Sequence, residues 1–372
     1  MLLRGSVLLP GGELAEGEVE IAGRSIVYAG TPRAGVGRAW EHDGWIVPGF
    51  YDLHLHGAAG CDTMDGTPRA LDTIAAWAAS GGTTGFMATT MTAPEQQLAR
   101  VVENAARYQG RGGARLMGIH LEGPFISPHY AGAHSRAAVA MDPGVICRLT
   151  ECGRGRLGRV TLAPELPAAP ALIQWLRRQG VVVSLGHTDA TYAQVRVAQD
   201  AGASMVTHTF NAMRGFHHRE PGAAGAALDI DGLYLEVILD GHHVHEAAFR
   251  LLWRARPGSV FLATDAIPAA GMAPGRYQLG GHEIWAEGGR ATLPGGTLAG
   301  SLLTMSRAVH NAVGSGIPLV QAAEAASGRP ARAAGWSNRG RLIAGHVADV
   351  VLLTTDLDVL VTIVEGEVVF SR

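Results

Sequence analysis

Eight short runs of apolar residues recur along the middle of the chain, at 45–56, 83–91, 115–122, 159–165, 181–187, 204–208, 234–240 and 259–265. Between them lie Ala-rich stretches with helical spacing, such as 71–79, 96–108, 171–179, 192–201 and 246–256. Strands alternating with helices predict a parallel sheet joined by crossover helices, and eight such units close a (β/α)8 barrel. The second run ends on Met91. The other seven end on groups that bind metals or move protons: the His54–His56 pair, Glu122, Glu165, His187, His208, Asp240 and Asp265. In a parallel barrel the carboxyl ends of all strands meet at one face. Residues scattered over two hundred positions are therefore expected to form one cluster.

The two ends of the chain carry a different pattern, of short strands and glycine turns: 5–9, 18–21 and 25–29 at the start, then 347–353, 357–364 and 368–370. Together they are expected to form one small β-sandwich beside the barrel. The predicted division is 1–46 and 341–372 for the sandwich and 47–340 for the barrel. Glycine pairs in 276–298 break the rhythm and predict a hairpin insertion, followed by helices over 302–313 and 319–334.

Composition narrows the function classes. A chain of 372 residues, 47% hydrophobic and 17% charged, has ample material for one large barrel with a small extra unit. A net charge of −3 offers no broad basic field, so neither nucleic acid nor an anionic membrane is expected as a partner. The longest uncharged stretch, 73–94, is broken by Gly, Ser and Thr and predicts no membrane span. Three cysteines make no disulfide framework. With no signal-peptide layout at the start, they point to the cytoplasm. All 30 basic residues are arginine, which excludes a carboxylated lysine as a bridge between two metal ions.

The strand-end residues carry the chemistry. His54 and His56 alternate on one strand and so face the same way, into the barrel mouth. Gly49 and Gly57 flank them and permit close chain approach. Glu122 ends an apolar run, where an unpaired charge costs several kcal/mol to bury, so it needs a cation. That cation is either a metal or an arginine. His120 shares its face. His187 and His208 follow β-rich runs at matching strand ends. Asp265 suits a metal ligand, a proton acceptor for water, or both. Imidazole and carboxylate accommodate zinc, iron, manganese and cobalt. His243, in the segment Asp240-Gly241-His242-His243, suggests a substrate contact. The basic loop 216–222 with Arg219 is either an anion grip or a solvated surface. The glycine-rich loop 295–301 precedes a helix and is a weaker anion candidate.

These segments, in this order, resemble the N-acetylglucosamine-6-phosphate deacetylases of the amidohydrolase superfamily. The likeness runs through Pro48-Gly49-Phe50-Tyr51-Asp52-Leu53-His54-Leu55-His56-Gly57, His120-Leu121-Glu122-Gly123-Pro124, Gly186-His187-Thr188-Asp189, Thr207-His208-Thr209-Phe210-Asn211-Ala212-Met213, Arg219-Glu220-Pro221-Gly222 and Thr264-Asp265-Ala266. It implies metal-dependent hydrolysis of the acetamide to glucosamine-6-phosphate and acetate, in amino-sugar catabolism or cell-wall recycling. It assigns Glu122, His187 and His208 to a main divalent ion, zinc or iron, and His54 and His56 to a second ion bridged through Glu122. Asp265 becomes the general base and acid, and His134 polarises the carbonyl. His243 meets a sugar hydroxyl, and Asn211 with the Ala212 backbone meets the phosphate. Arg219 reaches the neighbouring subunit's phosphate, which implies a homodimer. One departure is Tyr130-Ala131, where the family often has Lys before Gly-Ala-His. Hydrolysis of a galactosamine phosphate or of an unphosphorylated sugar is the alternative.

Overall fold

The computed structural model describes all residues from 1 to 372 except 36, 137, 138, 140 and 141. Its centre is an eight-stranded parallel sheet: β1 (Phe50–Leu55), β2 (Thr83–Thr90), β3 (Arg115–Glu122), β4 (Leu157–Leu162), β5 (Val182–Leu185), β6 (Met205–Val206), β7 (Tyr234–Ile238) and β8 (Val260–Ala263). The strands pair in sequence order. The first and last close the ring through hydrogen bonds from His56 N–H to Ala266 O (2.9 Å) and from Asp265 N–H to His54 O (2.9 Å).

A helix follows each strand: α1 (Pro68–Ser80), α2 (Glu95–Arg107), α3 (Gly144–Cys152), α4 (Ala169–Arg178), α5 (Tyr192–Ala201), α6 (Gly222–Asp229), α7 (Glu246–Ala255) and α8 (Met305–Gly314). Local chemistry sets their limits. Thr67 caps α1 by accepting from Ala70 N–H, with Pro68 at the first helical position, where a missing N–H is harmless. Thr191 and Gln194 form a reciprocal capping box on α5. The fold is the expected barrel.

The chain ends build a seven-stranded sheet from Leu2–Leu8, Leu14–Ala22, Ser25–Gly30, Trp40–Pro48, Val350–Leu353, Val359–Val364 and Glu367–Ser371. It curls over on itself, because Ser25 bridges Val347 and Ile26 N–H donates to His346 O (2.9 Å). Leu3, Val7, Val19, Ile21, Ile26, Val350, Leu352 and Ile363 fill the space inside. The alternate residues Val47, Val351, Leu353 and Val359 face outward into the barrel core. Burial on both faces explains the unbroken apolar run Val350–Leu353.

Three strand and helix limits differ from the sequence reading. The run 45–56 splits in two: Trp40–Pro48 belongs to the curled sheet, and after Gly49 the chain enters the barrel at Phe50. A side chain on Gly49 would lie 2.3 Å from Thr84, which is why this crossing is a glycine. The fourth strand ends at Leu162, short of Glu165. The helix expected over 319–334 breaks into Leu319–Ala326 and Gly328–Ala333. The insertion is a three-stranded antiparallel sheet, Gly275–Leu279, His282–Glu287 and Arg290–Thr292, leaning over the barrel mouth.

Candidate metal centre

Five of the strand-end residues converge on one point. His54 and His56 lie on β1 and just beyond it, and Glu122 is the last residue of β3. Glu122 presents its two oxygens to two histidine pairs. Its Oε2 lies 3.2 Å from His54 Nε2 and 3.0 Å from His56 Nε2. Its Oε1 lies 3.2 Å from Nε2 of both His187 and His208. The Nε2 atoms within the pairs are 3.2 Å apart (His54, His56) and 3.0 Å apart (His187, His208).

Ion–ligand bonds of about 2.0–2.1 Å place the corners of a tetrahedron about 3.3 Å apart, so both triangles have the right edge for one ion each. The sets His54–His56–Glu122 and Glu122–His187–His208 are both buried and both able to hold a metal.

The local backbone differs between the sets. His54 lies within β1 itself. His187, His208 and Asp265 instead sit just past strand ends in left-handed conformations, with φ of 47°, 28° and 50°. Non-glycine residues adopt that region at a cost of about 1–3 kcal/mol, which concentrates at functional sites. His187 Nδ1 pairs with Tyr130 O at 2.8 Å and His208 Nδ1 with Asn211 O at 3.2 Å, which aims each Nε2 at Glu122. A side chain on Gly57 would lie 2.3 Å from Cys61 O, so the chain can leave β1 at this angle only through glycine.

Asp265 Oδ1 lies 3.1 Å from His56 Nε2 and 3.3 Å from His54 Nε2. Burial works against its charge, yet the two imidazoles outweigh burial and hold the carboxyl below its ordinary value. Burial likewise opposes the charge on Glu122, but His54 and His134 pull it well down. The same carboxylates push His56 up to about 9 against its own burial. The cluster calls for positive charge, which a divalent ion supplies without protonating a ligand.

His134 is set differently. Thr92 N–H donates to its Nδ1 at 2.9 Å, so the ring hydrogen of the neutral form is on Nε2, 3.2 Å from Glu122 Oε2. Burial, with Glu122 opposing it, lowers its pKa to about 4. It is a neutral N–H donor facing the cavity.

That cavity measures about 420 Å³. His56, Glu122, His134, His187, His208 and Asp265 line it, with Asn211, Ala212 and His243 around its rim. His243 is steadied by Asp240, Nδ1 to Oδ2 at 2.7 Å. The glycine-rich loop contributes wall through Thr297, Leu298 and Gly300.

Two strand-end residues do other work. Glu165 accepts from Thr188 Oγ (2.5 Å) and Asp189 N–H (2.7 Å) and holds the loop after β5. His120 stays behind the site, bonded to Thr89 and Thr161 at 3.2 and 2.7 Å. Arg219 does not line the cavity of its own chain; it is exposed and rests against His218.

Four contributors escaped the sequence reading. His129 and Arg136 line the cavity from an irregular loop that carries no periodic signal. Glu236 and Arg159 lie fully buried beneath the floor. A charged residue inside an apolar strand marks both of the latter pair, as it marks Glu122.

A parallel barrel with a carboxylate-bridged histidine cluster at the carboxyl ends of its strands defines a class: the hydrolases that work through bound metal. Within it, the amidohydrolase family model matches residues 45–369, and the chain belongs to that family. The chain is 38% identical over 337 residues to the N-acetylglucosamine-6-phosphate deacetylase of Bacillus subtilis (strain 168), covering 88% of this chain and 85% of that one. It is 39% identical over 327 residues to the N-acetylgalactosamine-6-phosphate deacetylase of Escherichia coli O157:H7, covering 87% of each. Among solved structures it superposes with a TM-score of 0.94 on the N-acetyl-D-glucosamine-6-phosphate deacetylase of Mycobacterium smegmatis. That protein is 40% identical, and the match covers 100% of this chain and 99% of that one; the structure is an aspartate-to-alanine variant in complex with N-acetyl-D-glucosamine-6-phosphate.

Proposed function

We propose that this chain hydrolyses the acetamide of N-acetylglucosamine-6-phosphate, releasing acetate and glucosamine-6-phosphate. The observation that carries the reading is Glu122, one oxygen facing His54 and His56 and the other facing His187 and His208, on the floor of a cavity that also holds Asp265 and His134. Glu122, His187 and His208 would hold one divalent ion, and His54 and His56, with Glu122, would hold a second. Zinc and iron both suit these donors. A divalent ion there supplies positive charge that polarises a carbonyl and acidifies water.

The chain's own groups do the rest. Asp265, ionised at neutral pH, takes a proton from the attacking water. As the new C–O bond forms, negative charge gathers on the acetamide oxygen, and the His134 Nε2–H points where that charge develops. Asp265 then gives its proton to the sugar nitrogen as the C–N bond breaks. Asn211 and the Ala212 backbone hold the phosphate, and His243 holds a sugar hydroxyl.

Arg219 belongs to the phosphate site of a neighbouring subunit in a cytoplasmic homodimer. Its loop supports that assignment: Phe216 is 63% exposed beside it, and the Arg219 guanidinium rests on the neighbouring His218 with no carboxylate partner among the described residues. An exposed aromatic next to an unpaired guanidinium suits a subunit contact.

Likeness at nearly equal identity to the galactosamine-phosphate enzyme favours a second reading, in which the sugar has the other configuration. Acetate release from N-acetylglucosamine-6-phosphate, N-acetylgalactosamine-6-phosphate and unphosphorylated N-acetylglucosamine decides. Turnover of the first well above the other two is expected. Preference for the second exchanges the sugar, and equal turnover of the unphosphorylated sugar removes the phosphate grip.

A further inference from the structure

Beneath the cavity, inside the barrel, lies a buried ion pair. Glu236 projects from β7 and Arg159 from β4, both fully buried and neither lining the cavity. Glu236 Oε2 pairs with Arg159 Nη1. Glu236 Oε1 faces two ligand residues at once: it lies 2.7 Å from His54 Nδ1 and accepts the His208 backbone N–H at 3.0 Å. The Nη groups of Arg159 also donate to Leu53 O (3.2 Å), Ser184 Oγ (3.0 Å) and Thr207 Oγ1 (3.1 Å), while its buried Nε has no hydrogen-bond partner among the described residues.

This geometry decides the state of one ring. A carboxylate only accepts, so the His54 hydrogen must sit on Nδ1, which leaves the Nε2 lone pair aimed at Glu122 and Asp265. His56 has no such fixing, since its buried Nδ1 has no hydrogen-bond partner among the described residues. Of the pair on β1, then, only His54 is held in a ligating tautomer, and Glu236 holds it. Arg159 keeps Glu236 ionised in a place that would otherwise expel the charge.

Resting on the metal-centre reading above, we propose that Glu236 is a positioning residue that makes His54 a ligand, and thereby enables the His54–His56–Glu122 set to hold an ion of its own. A purely structural ion pair would hold the barrel together and leave metal uptake alone.

The test counts metal rather than turnover. Wild-type protein and Glu236→Gln, both stripped with a chelator and checked for fold by circular dichroism, are titrated with Zn²⁺ against a chromophoric chelator. Wild type is expected to bind two ions per chain. Glutamine keeps the size of Glu236 but removes the charge, and with its amide oxygen turned to the donor-only Arg159 it presents an NH2 group to His54 Nδ1, which moves the ring hydrogen to Nε2. The variant is expected to keep one ion at wild-type affinity and to bind the second 10–100-fold more weakly.

Because Glu236→Gln leaves Arg159 buried without a counter-charge, Glu236→Leu combined with Arg159→Met, which removes both charges and the acceptor facing His54, is measured alongside, with the same loss of the second ion expected. Two ions at wild-type affinity in either folded variant overturn the proposal. Equal weakening of both ions overturns it too, because the effect is then not confined to the His54 set. A wild-type chain that takes up one ion removes the proposal together with the two-ion reading, while acetate release still judges the hydrolase reading independently.

Discussion

Where the barrel rests on the curled sheet, every buried carboxylate meets a guanidinium or a phenol. Glu365 is gripped by Arg24 (2.5 Å), Arg115 (2.9 Å) and Arg339 (2.9 Å), and Asp349 by Arg339 and the Tyr51 hydroxyl. Arg115 opens β3 and Tyr51 is the second residue of β1, so this seam lies at the amino end of the barrel. At the carboxyl end the balance is reversed. Glu122 and Asp265 pair with histidines, and the buried guanidinium beneath the floor, Arg159, is spent on Glu236. The lower end is complete in itself, as a joint should be. The upper end leaves Glu122 and Asp265 to histidines and, as a site built for an ion and a substrate should, holds five residues, His187, His208, Phe210, Ala212 and Asp265, in left-handed backbone, a conformation that Glu365 takes at the seam.

The largest effect expected from breaking this contrast comes at the top. Asp265→Asn removes the proton carrier but no metal-bridging carboxylate, and should lower turnover by about 10³–10⁴-fold. The protein should still carry its metal and melt close to wild type, because asparagine keeps the side-chain size and tolerates the left-handed backbone at position 265. Acetate release, metal content and a thermal melt on the same sample check all three; near-normal turnover would remove Asp265 from the mechanism. Stripping the metal should reach the same loss of turnover by another route. It should also lower the melting temperature, since an ion that binds only the folded state stabilises it, and added Zn²⁺ should restore both.

At the seam the effect should fall on stability instead. Removing one partner of a buried pair costs about 3–5 kcal/mol, reduced here to about 2–3 because water screens the largely exposed Arg24. Glu365→Gln should lower stability by that amount in a denaturant melt and leave turnover per folded molecule unchanged. The pH dependence has a definite sign. Burial opposes the Glu365 charge, but Arg339, Arg24 and Arg115 outweigh it and hold the carboxyl at about 2, against an ordinary 4.5. The folded state therefore releases this proton at lower pH than the unfolded one. The stabilisation is fully present above 4.5 and is lost as pH falls toward 2. The gap between wild type and Glu365→Gln should close over that interval; a gap that stays constant with pH would mean the glutamate acts by packing alone.

The two ends were not equally legible in the sequence. Eight apolar runs with helical stretches between them suffice for the barrel, and strand ends in a barrel share one face, so Glu122, His187, His208 and Asp265 are legible without any structure. The His54–His56 spacing shows its shared face directly. The inner network is harder to read because its members sit on five different strands or strand ends, and no local spacing links them. Yet Glu236, in Tyr234-Leu235-Glu236-Val237-Ile238, breaks an apolar run just as Glu122 does, and the same desolvation cost marks it. Arg159 is its arginine partner among the described residues. The seam is less legible still. Arg24, Arg115, Arg339 and Glu365 come from both chain ends and the barrel, and only the tertiary fold brings them together.

The smallest expected effect tests whether the upper end is complete within one chain. The cavity contains Arg136 and His129, so some positive charge for a phosphate is available without a neighbour. Arg219 lies outside it, on the loop that exposes Phe216. If a partner subunit lends Arg219 to the phosphate, Arg219→Ala loses one charge-assisted contact worth about 1.5–3 kcal/mol, or roughly 10–150-fold. Because that contact is made equally before and during the reaction, the loss should appear in KM and leave kcat nearly unchanged. The same variant should turn over the unphosphorylated sugar as wild type does. Phe216→Ser, which touches no phosphate, should reproduce the KM effect by weakening the subunit contact, and its severity should lessen as protein concentration rises. A KM effect of Arg219→Ala with no such concentration dependence in Phe216→Ser would place the arginine's contact within its own chain. No KM effect in either variant would leave the phosphate to Arg136, His129 and the Asn211–Ala212 turn.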